Sequence, residues 1–200
     1  MPRTKEQNKK IREEARNKII NAAIKLFSLK GYHGTSISDI AKEAEISKGL
    51  AYNYFESKQD LLKAIFESMM QMGFDVVEGL DKEPDPFKQI EEIINNSCEY
   101  VKNNIELWRL YLGMAFQPDV MGAATNMTLE FTTQMVKMIE RIFRKAGFKN
   151  VSNEARIFAA TLDGTMLYYI FDPENFPIDR VKKTLLKRYG KDEILRYNSN

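Results

Sequence analysis

The chain contains one cysteine and one histidine in 200 residues. Cys98 has no second thiol to form an intrachain disulfide and is expected as a small apolar residue on a packed helix. With His33 as the lone imidazole, set in an exposed turn beside Gly34, no His/Cys metal cluster can form. No apolar run approaches the roughly 20 residues of a membrane span. Met1-Pro-Arg-Thr-Lys leads into charged sequence rather than an apolar signal core, so no membrane partner is expected and the place of the chain is the cytoplasm. Also absent are a Gly-Lys-Ser/Thr phosphate loop, a Ser/His/Asp set with a positional rationale, strand-like alternation, internal repeats and low-complexity tracts. Acid pairs such as Glu13-Glu14 and Glu91-Glu92 read as solvated helix surface. These absences leave no catalytic residue, metal or cofactor to assign, and an enzyme is not expected.

What is there is ordinary for a folded domain: 44% apolar and 29% charged residues, enough chain for one medium or two small cores. The net charge of +2 is unevenly spread. Through Leu62, 12 lysines and arginines face 8 acids, whereas the remainder carries 18 against 20. Residues 1–18 alone hold seven cations, Arg3, Lys5, Lys9, Lys10, Arg12, Arg16 and Lys18, against three acids. A basic end can be a plain solvated tail or a source of phosphate contacts.

Helical punctuation runs the length of the chain. Ala15, Ile19, Ala22 and Leu26 recur at helical spacing, and Gly31 after Lys30 marks a stop. Thr35 or Ser36 caps the next helix, with Asp39 three residues beyond Ser36; Ser47 caps a third and Ser57 a fourth, again with an acid at Asp60. The fourth helix continues through Leu62, Ile65, Met69, Gly73 and Val76 until Asp81-Lys82-Glu83-Pro84-Asp85-Pro86 interrupts it. Further helices are expected at about 86–103, 105–116, 118–145, 152–170 and 178–189, with Pro86, Pro118 and Pro177 near their starts. The expected fold class is all-α, divided into residues 12–72, a linking helix to about 80, and residues 81–200.

Residues 35–58 carry the strongest functional signal. Ile37, Ile40, Ala41 and Ala44 form the buried face of a short helix, Glu45-Ile46 a turn, and Ser47 opens a second short helix bearing Lys48, Gly49, Tyr52, Asn53 and Tyr54. A helix-turn-helix needs this arrangement: the second helix offers hydroxyls, an amide and a cation to base edges and phosphates, while a residue such as Phe55 anchors it. The pattern Phe27, Gly31-Tyr32, Thr35, Ile40-Ala41, Ala44, Ile46-Ser47-Lys48-Gly49, Tyr52, Tyr54-Phe55, Ser57-Lys58 and Leu61-Leu62 resembles the TetR/AcrR-type transcriptional regulators over residues 15–70. The family's turn usually has glycine where this chain has Glu45, which is tolerable only if the turn does not call for positive φ.

The resemblance implies a three-helix DNA-binding domain followed by a helical ligand-binding and dimerisation bundle. Carried onto these positions, it places Thr35 and Ser36 on phosphate. Ser47, Lys48, Gly49, Tyr52 and Asn53 take the major groove or its rim, and Tyr54 and Lys58 the DNA backbone. For the C-terminal part it implies a small-molecule effector. Tyr100, Trp108, Tyr111, Met114, Met135 and Met166 are the candidate pocket residues, since methionine and aromatic surfaces adapt to a ligand, though helical spacing also suits plain core. It further implies a homodimer through the last two core helices, for which Phe158, Leu162, Thr165, Tyr169, Val181 and Leu185 are the candidates, burial within one subunit being the other reading.

The expected function is a homodimeric repressor that binds a near-palindromic operator in double-stranded DNA and leaves it when a small molecule binds. The alternative is an α-helical interaction module that docks protein and not DNA. Salt-dependent binding to duplex DNA separates the two, because phosphate contacts release counterions.

Overall fold

The computed structural model describes residues 4–199, with the side chains of residues 5, 8, 119, 123, 124 and 197–199 outside that description. Of the basic N-terminal set, Arg3 and the Lys5 side chain therefore lie outside the described residues. Every regular element among the described residues is helical: α1 (Lys5–Lys30), α2 (Ile37–Glu43), α3 (Lys48–Tyr52), α4 (Lys58–Val76), a 3-10 turn (Leu80–Lys82), α5 (Pro86–Asn103), α6 (Ile105–Ala115), α7 (Pro118–Lys145), α8 (Val151–Phe171), α9 (Ile178–Arg188) and α10 (Lys191–Ser199).

The caps sit where the sequence puts them. Ser36 accepts from the Asp39 amide while Asp39 accepts from the Ser36 amide, a reciprocal capping box. Ser47 accepts from the Leu50 amide at 3.1 Å and Ser57 from the Asp60 amide at 3.0 Å. Pro86 opens α5 behind Asp85, whose carboxylate accepts from the Phe87 amide. Helix α1 begins further upstream than its apolar period suggests, on a Thr4 capping box with Gln7, and α10 lies beyond the last expected helix.

The expectation of consecutive domains, 12–72 and 81–200, meets a division by contacts that is not consecutive. One unit comprises residues 1–69 with 109–127, the other 70–108 with 128–200. In the first, Ile19, Ala23, Ile24, Phe27, Ile40, Ala51, Phe55, Leu61 and Ile65 are buried. Residues 109–127 join it through Gln117, whose amide nitrogen donates to the Phe27 carbonyl (2.8 Å) and whose oxygen accepts from the Tyr32 amide (3.0 Å). Tyr111 and Met114 of this unit are fully buried. In the second unit, Ile90, Ile94, Ile142, Leu162 and Leu185 surround an aromatic cluster. There Phe143 stacks on Phe148 at 4.0 Å and Phe158 meets Tyr189 edge-on at 4.7 Å. Among the described residues no helix is long and apolar enough to cross a membrane.

Candidate nucleic-acid interface and ligand cavity

The helix-turn-helix is held from its buried side. Ala51 of α3 and Phe55 just after it are 1% and 2% exposed, and the Arg16 guanidinium of α1 lies 5.5 Å from the Phe55 ring centroid, so α3 is held along one face. Burial of a phenylalanine side chain is worth roughly 1.5–3 kcal/mol. The turn before α3 closes with two bonds: the Ile46 amide donates to the Ala41 carbonyl and the Glu45 amide to the Lys42 carbonyl. This is a Schellman closure, and its C′ residue must be left-handed. Glu45 has φ +57°, so the turn does call for positive φ, contrary to expectation, and the glutamate adopts it.

With that face fixed, the opposite face of α3 is free. Ser47, Lys48, Gly49, Tyr52 and Asn53 are exposed, and no acid stands in the first turn of the helix. A Cβ placed on Gly49 would meet nothing within 4 Å, leaving its backbone open to close approach. The Lys48 ammonium lies 6.0 Å from the Tyr52 ring centroid, at the edge of cation–π range. Tyr54 is half-buried. Ser36 is exposed, but its hydroxyl also donates to Asp39, and this bond holds the Asp39 carboxyl below the usual carboxylate range.

Two candidate phosphate contacts point elsewhere. Thr35 is buried, its hydroxyl donating to the Gly31 carbonyl at 2.9 Å and the Leu26 carbonyl at 3.3 Å. It closes the end of α1, whose last carbonyls have no helical partner. Lys58 donates to the carbonyls of Tyr32 (2.6 Å) and Thr35 (2.9 Å), and its ammonium sits 4.4 Å from the Tyr32 ring centroid. Both side chains satisfy the α1–α2 connection from within.

The second unit contains a cavity of about 170 Å³. Met72 and Val76 of α4, Tyr100 of α5 and Trp108 of α6 line one part; Phe131 and Met135 of α7 and Met166 of α8 line another. Gly73 makes room for this wall, since a Cβ there would come within 2.4 Å of the Phe131 ring tip. Four of the six candidate pocket residues, Tyr100, Trp108, Met135 and Met166, thus meet at one cavity. Tyr111 and Met114 do not: both are packed into the first unit's interior. Sequence reasoning passed over Asp163, which also lines the cavity and is the only charged residue from 157 to 171. Desolvation raises its carboxyl above the usual range.

The candidate dimer residues are mostly interior. Phe158, Leu162, Thr165 and Leu185 are buried in their own unit, and Tyr169 and Val181 are half-buried. The outward side of α8 instead carries Ile157, Tyr168 and Phe171, at 46%, 67% and 69% exposure. Their 11- and 3-residue steps fit a second helical stripe that the first one masked.

Residues 19–65 match the model of the tetR family of bacterial regulatory proteins. The HTH-type transcriptional regulator HbdR of Aromatoleum sp. (strain CIB) is 55% identical over 53 residues, 26% of this chain and 23% of HbdR. The biofilm operon icaADBC HTH-type negative transcriptional regulator IcaR of Staphylococcus aureus (strain Newman) is 43% identical over 65 residues, 32% of this chain and 33% of IcaR. The chain thus matches a third or less of the length of these curated relatives. Over most of its length it shares the fold of the transcriptional regulator FadR from Bacillus subtilis, solved in complex with stearoyl-CoA, at a TM-score of 0.67 and 19% identity, covering 86% of this chain and 96% of that one. The matched segment contains the capped α2, the left-handed turn and α3, and over these residues the chain is similar to the tetR family of bacterial regulatory proteins.

Proposed function

We propose that the chain is a sequence-specific DNA-binding transcriptional regulator, a cytoplasmic repressor that a small-molecule effector releases from its operator. The observation that carries this reading is α3: Ala51 and Phe55 anchor one face while Lys48, Gly49, Tyr52 and Asn53 stand exposed on the other. The sense of regulation is taken from IcaR, described as a negative regulator, and the expectation that some small molecule acts as effector from FadR, solved in complex with stearoyl-CoA. No reaction is assigned to the chain. Two copies would set their α3 helices into successive major grooves about 34–36 Å apart. Ile157, Tyr168 and Phe171 are the surface offered to the second copy. An effector in the cavity would act through α4, whose residues Met72 to Val76 form part of the wall. Driving the equilibrium from 1:99 to 99:1 requires the effector to prefer the released form by about 5.5 kcal/mol.

The test is duplex binding as a function of salt. Replacement Lys48→Ala is expected to weaken binding across sequences and to flatten the slope of log K against log salt by about 0.9, one phosphate's worth of counterions. A slope identical to that of the unmodified protein would remove Lys48 from the interface. No binding to any duplex at low salt would end the regulator reading.

A further inference from the structure

The cavity of the second unit is about 170 Å³, comparable to the ~150 Å³ space that admits a single benzene ring. Its surface is apolar and polarisable, with Tyr100, Trp108, Phe131, Met72 and Met166 facing it. Into this wall α8 places one carboxylate, Asp163. An ionised carboxylate in such surroundings is costly unless a cation or several donors offset it. Among the described residues no ion pair or hydrogen bond does so, and desolvation alone acts on its pKa. The group is enclosed enough to be desolvated yet keeps much of its accessible surface. Asp163 is the lone charge among the fifteen residues 157–171 of α8, and such local exceptions to an apolar pattern concentrate where a site has a task.

We propose that this cavity binds a small organic cation, an ammonium-type group on a compact apolar or single-ring body, with Asp163 as its counter-ion and Trp108, Tyr100 and Phe131 as the ring faces that receive the charge. The inference names an effector class and rests on the reading of the chain as an effector-controlled regulator. Aromatic faces carry negative potential and attract a desolvated cation, so the same wall that makes Asp163 costly when empty favours a cationic guest. An anionic head group would meet like charge at Asp163 instead.

Trp108 is the only tryptophan of the chain and lines the cavity, so its fluorescence reports on occupancy directly. The full chain is titrated at constant ionic strength with three probes of one shape and different charge: phenyltrimethylammonium, tert-butylbenzene and benzenesulfonate. The cation is expected to bind about tenfold tighter than tert-butylbenzene, with the sulfonate weakest. The substitution Asp163→Asn is expected to bring the cation to the affinity of the neutral probe while leaving the neutral probe unchanged. A neutral or anionic probe that binds as tightly as the cation, no response to any of the three, or a cation preference that survives Asp163→Asn would overturn the proposal. The ranking in the unmodified protein decides the matter if the variant does not fold. Since the titration contains no DNA, a chain that selects the cation but ignores duplex DNA keeps the cavity's chemistry and loses the regulator reading, and the reverse result separates them equally.

Discussion

Glu45 stands at the one position of the helix-turn-helix where a side chain works against the backbone. Left-handed φ brings Cβ against the carbonyl, at about 1–2 kcal/mol for an L-residue. The Schellman bonds from Ile46 and Glu45 hold it there nonetheless. Replacement Glu45→Gly removes the strain and returns part of it as chain entropy in the unfolded state. A net gain of about 1 kcal/mol is expected, read as a higher urea midpoint at unchanged slope. A midpoint that stays or falls would mean the glutamate side chain stabilises the turn by some contact of its own. Single residues are also where the sequence misleads. Thr35 and Lys58 have the chemistry of phosphate ligands, yet the carbonyls of Leu26, Gly31, Tyr32 and Thr35 take their donors. Residue type states what a group can donate, and only three-dimensional proximity states to whom. Asp163 shows the converse: an isolated charge in an apolar run is visible in the sequence, but its meaning depends on a cavity assembled from five helices.

Helices were the most legible level, because their ends are written in short-range chemistry. Ser36, Ser47, Ser57 and Asp85 each cap a start through an amide two or three residues away, which no tertiary contact has to supply. Helix α10 escaped because it is short and only Ile194 of its described side chains is buried. Invisible to local pattern, too, is the clamp between α5 and α9. Lys102 pairs with Asp179 at 2.7 Å across 77 residues of chain and Lys182 with Glu99 at 3.1 Å across 83, while Lys102 also reaches Glu99 of its own helix at 3.6 Å. The bond from Lys182 lowers the Glu99 pKa, that from Lys102 lowers Asp179, and the Asp179 bond raises Lys102. Depressed carboxylates stabilise the fold fully above their unfolded value near pH 4 and lose that contribution as pH falls through the folded value. The raised lysine contributes fully below about pH 10.4 and loses its share as pH climbs through the folded value. The melting temperature of the unmodified chain is therefore expected to exceed that of a Glu99→Gln, Asp179→Asn double variant at pH 7, with the gap closing as acid protonates the depressed carboxylates. It should also narrow in about 1 M salt, as these groups are solvent-facing. A gap that persists unchanged in acid would assign the difference to packing rather than charge.

For the molecule as a whole, the decisive fact is that α8 is apolar on two sides. Ala155, Phe158, Leu162 and Thr165 line the unit's own core, and the periodicity that marks them also suits a subunit contact, so sequence alone does not separate a core stripe from an exposed one. The other stripe, Ile157, Tyr168 and Phe171, has no cover within the described chain comparable to the first. A second apolar stripe is a second face to bury, and a second copy with the same stripe would bury both by twofold symmetry. Glutamates at Ile157 and Tyr168 put charge on that stripe without entering the core. The double variant is expected to sediment as a folded monomer with an unchanged circular dichroism spectrum. If paired α3 helices read a two-part operator, its affinity for that operator should fall by about 10²- to 10⁴-fold, the advantage that tethering gives a second binding event. Its affinity for an isolated half-site should stay where it was, because Lys48, Tyr52 and Asn53 are untouched. A variant that remains dimeric would move the interface off α8. A true monomer that holds the full operator as tightly as before would mean that one α3 suffices for recognition and that twofold pairing has no part in it.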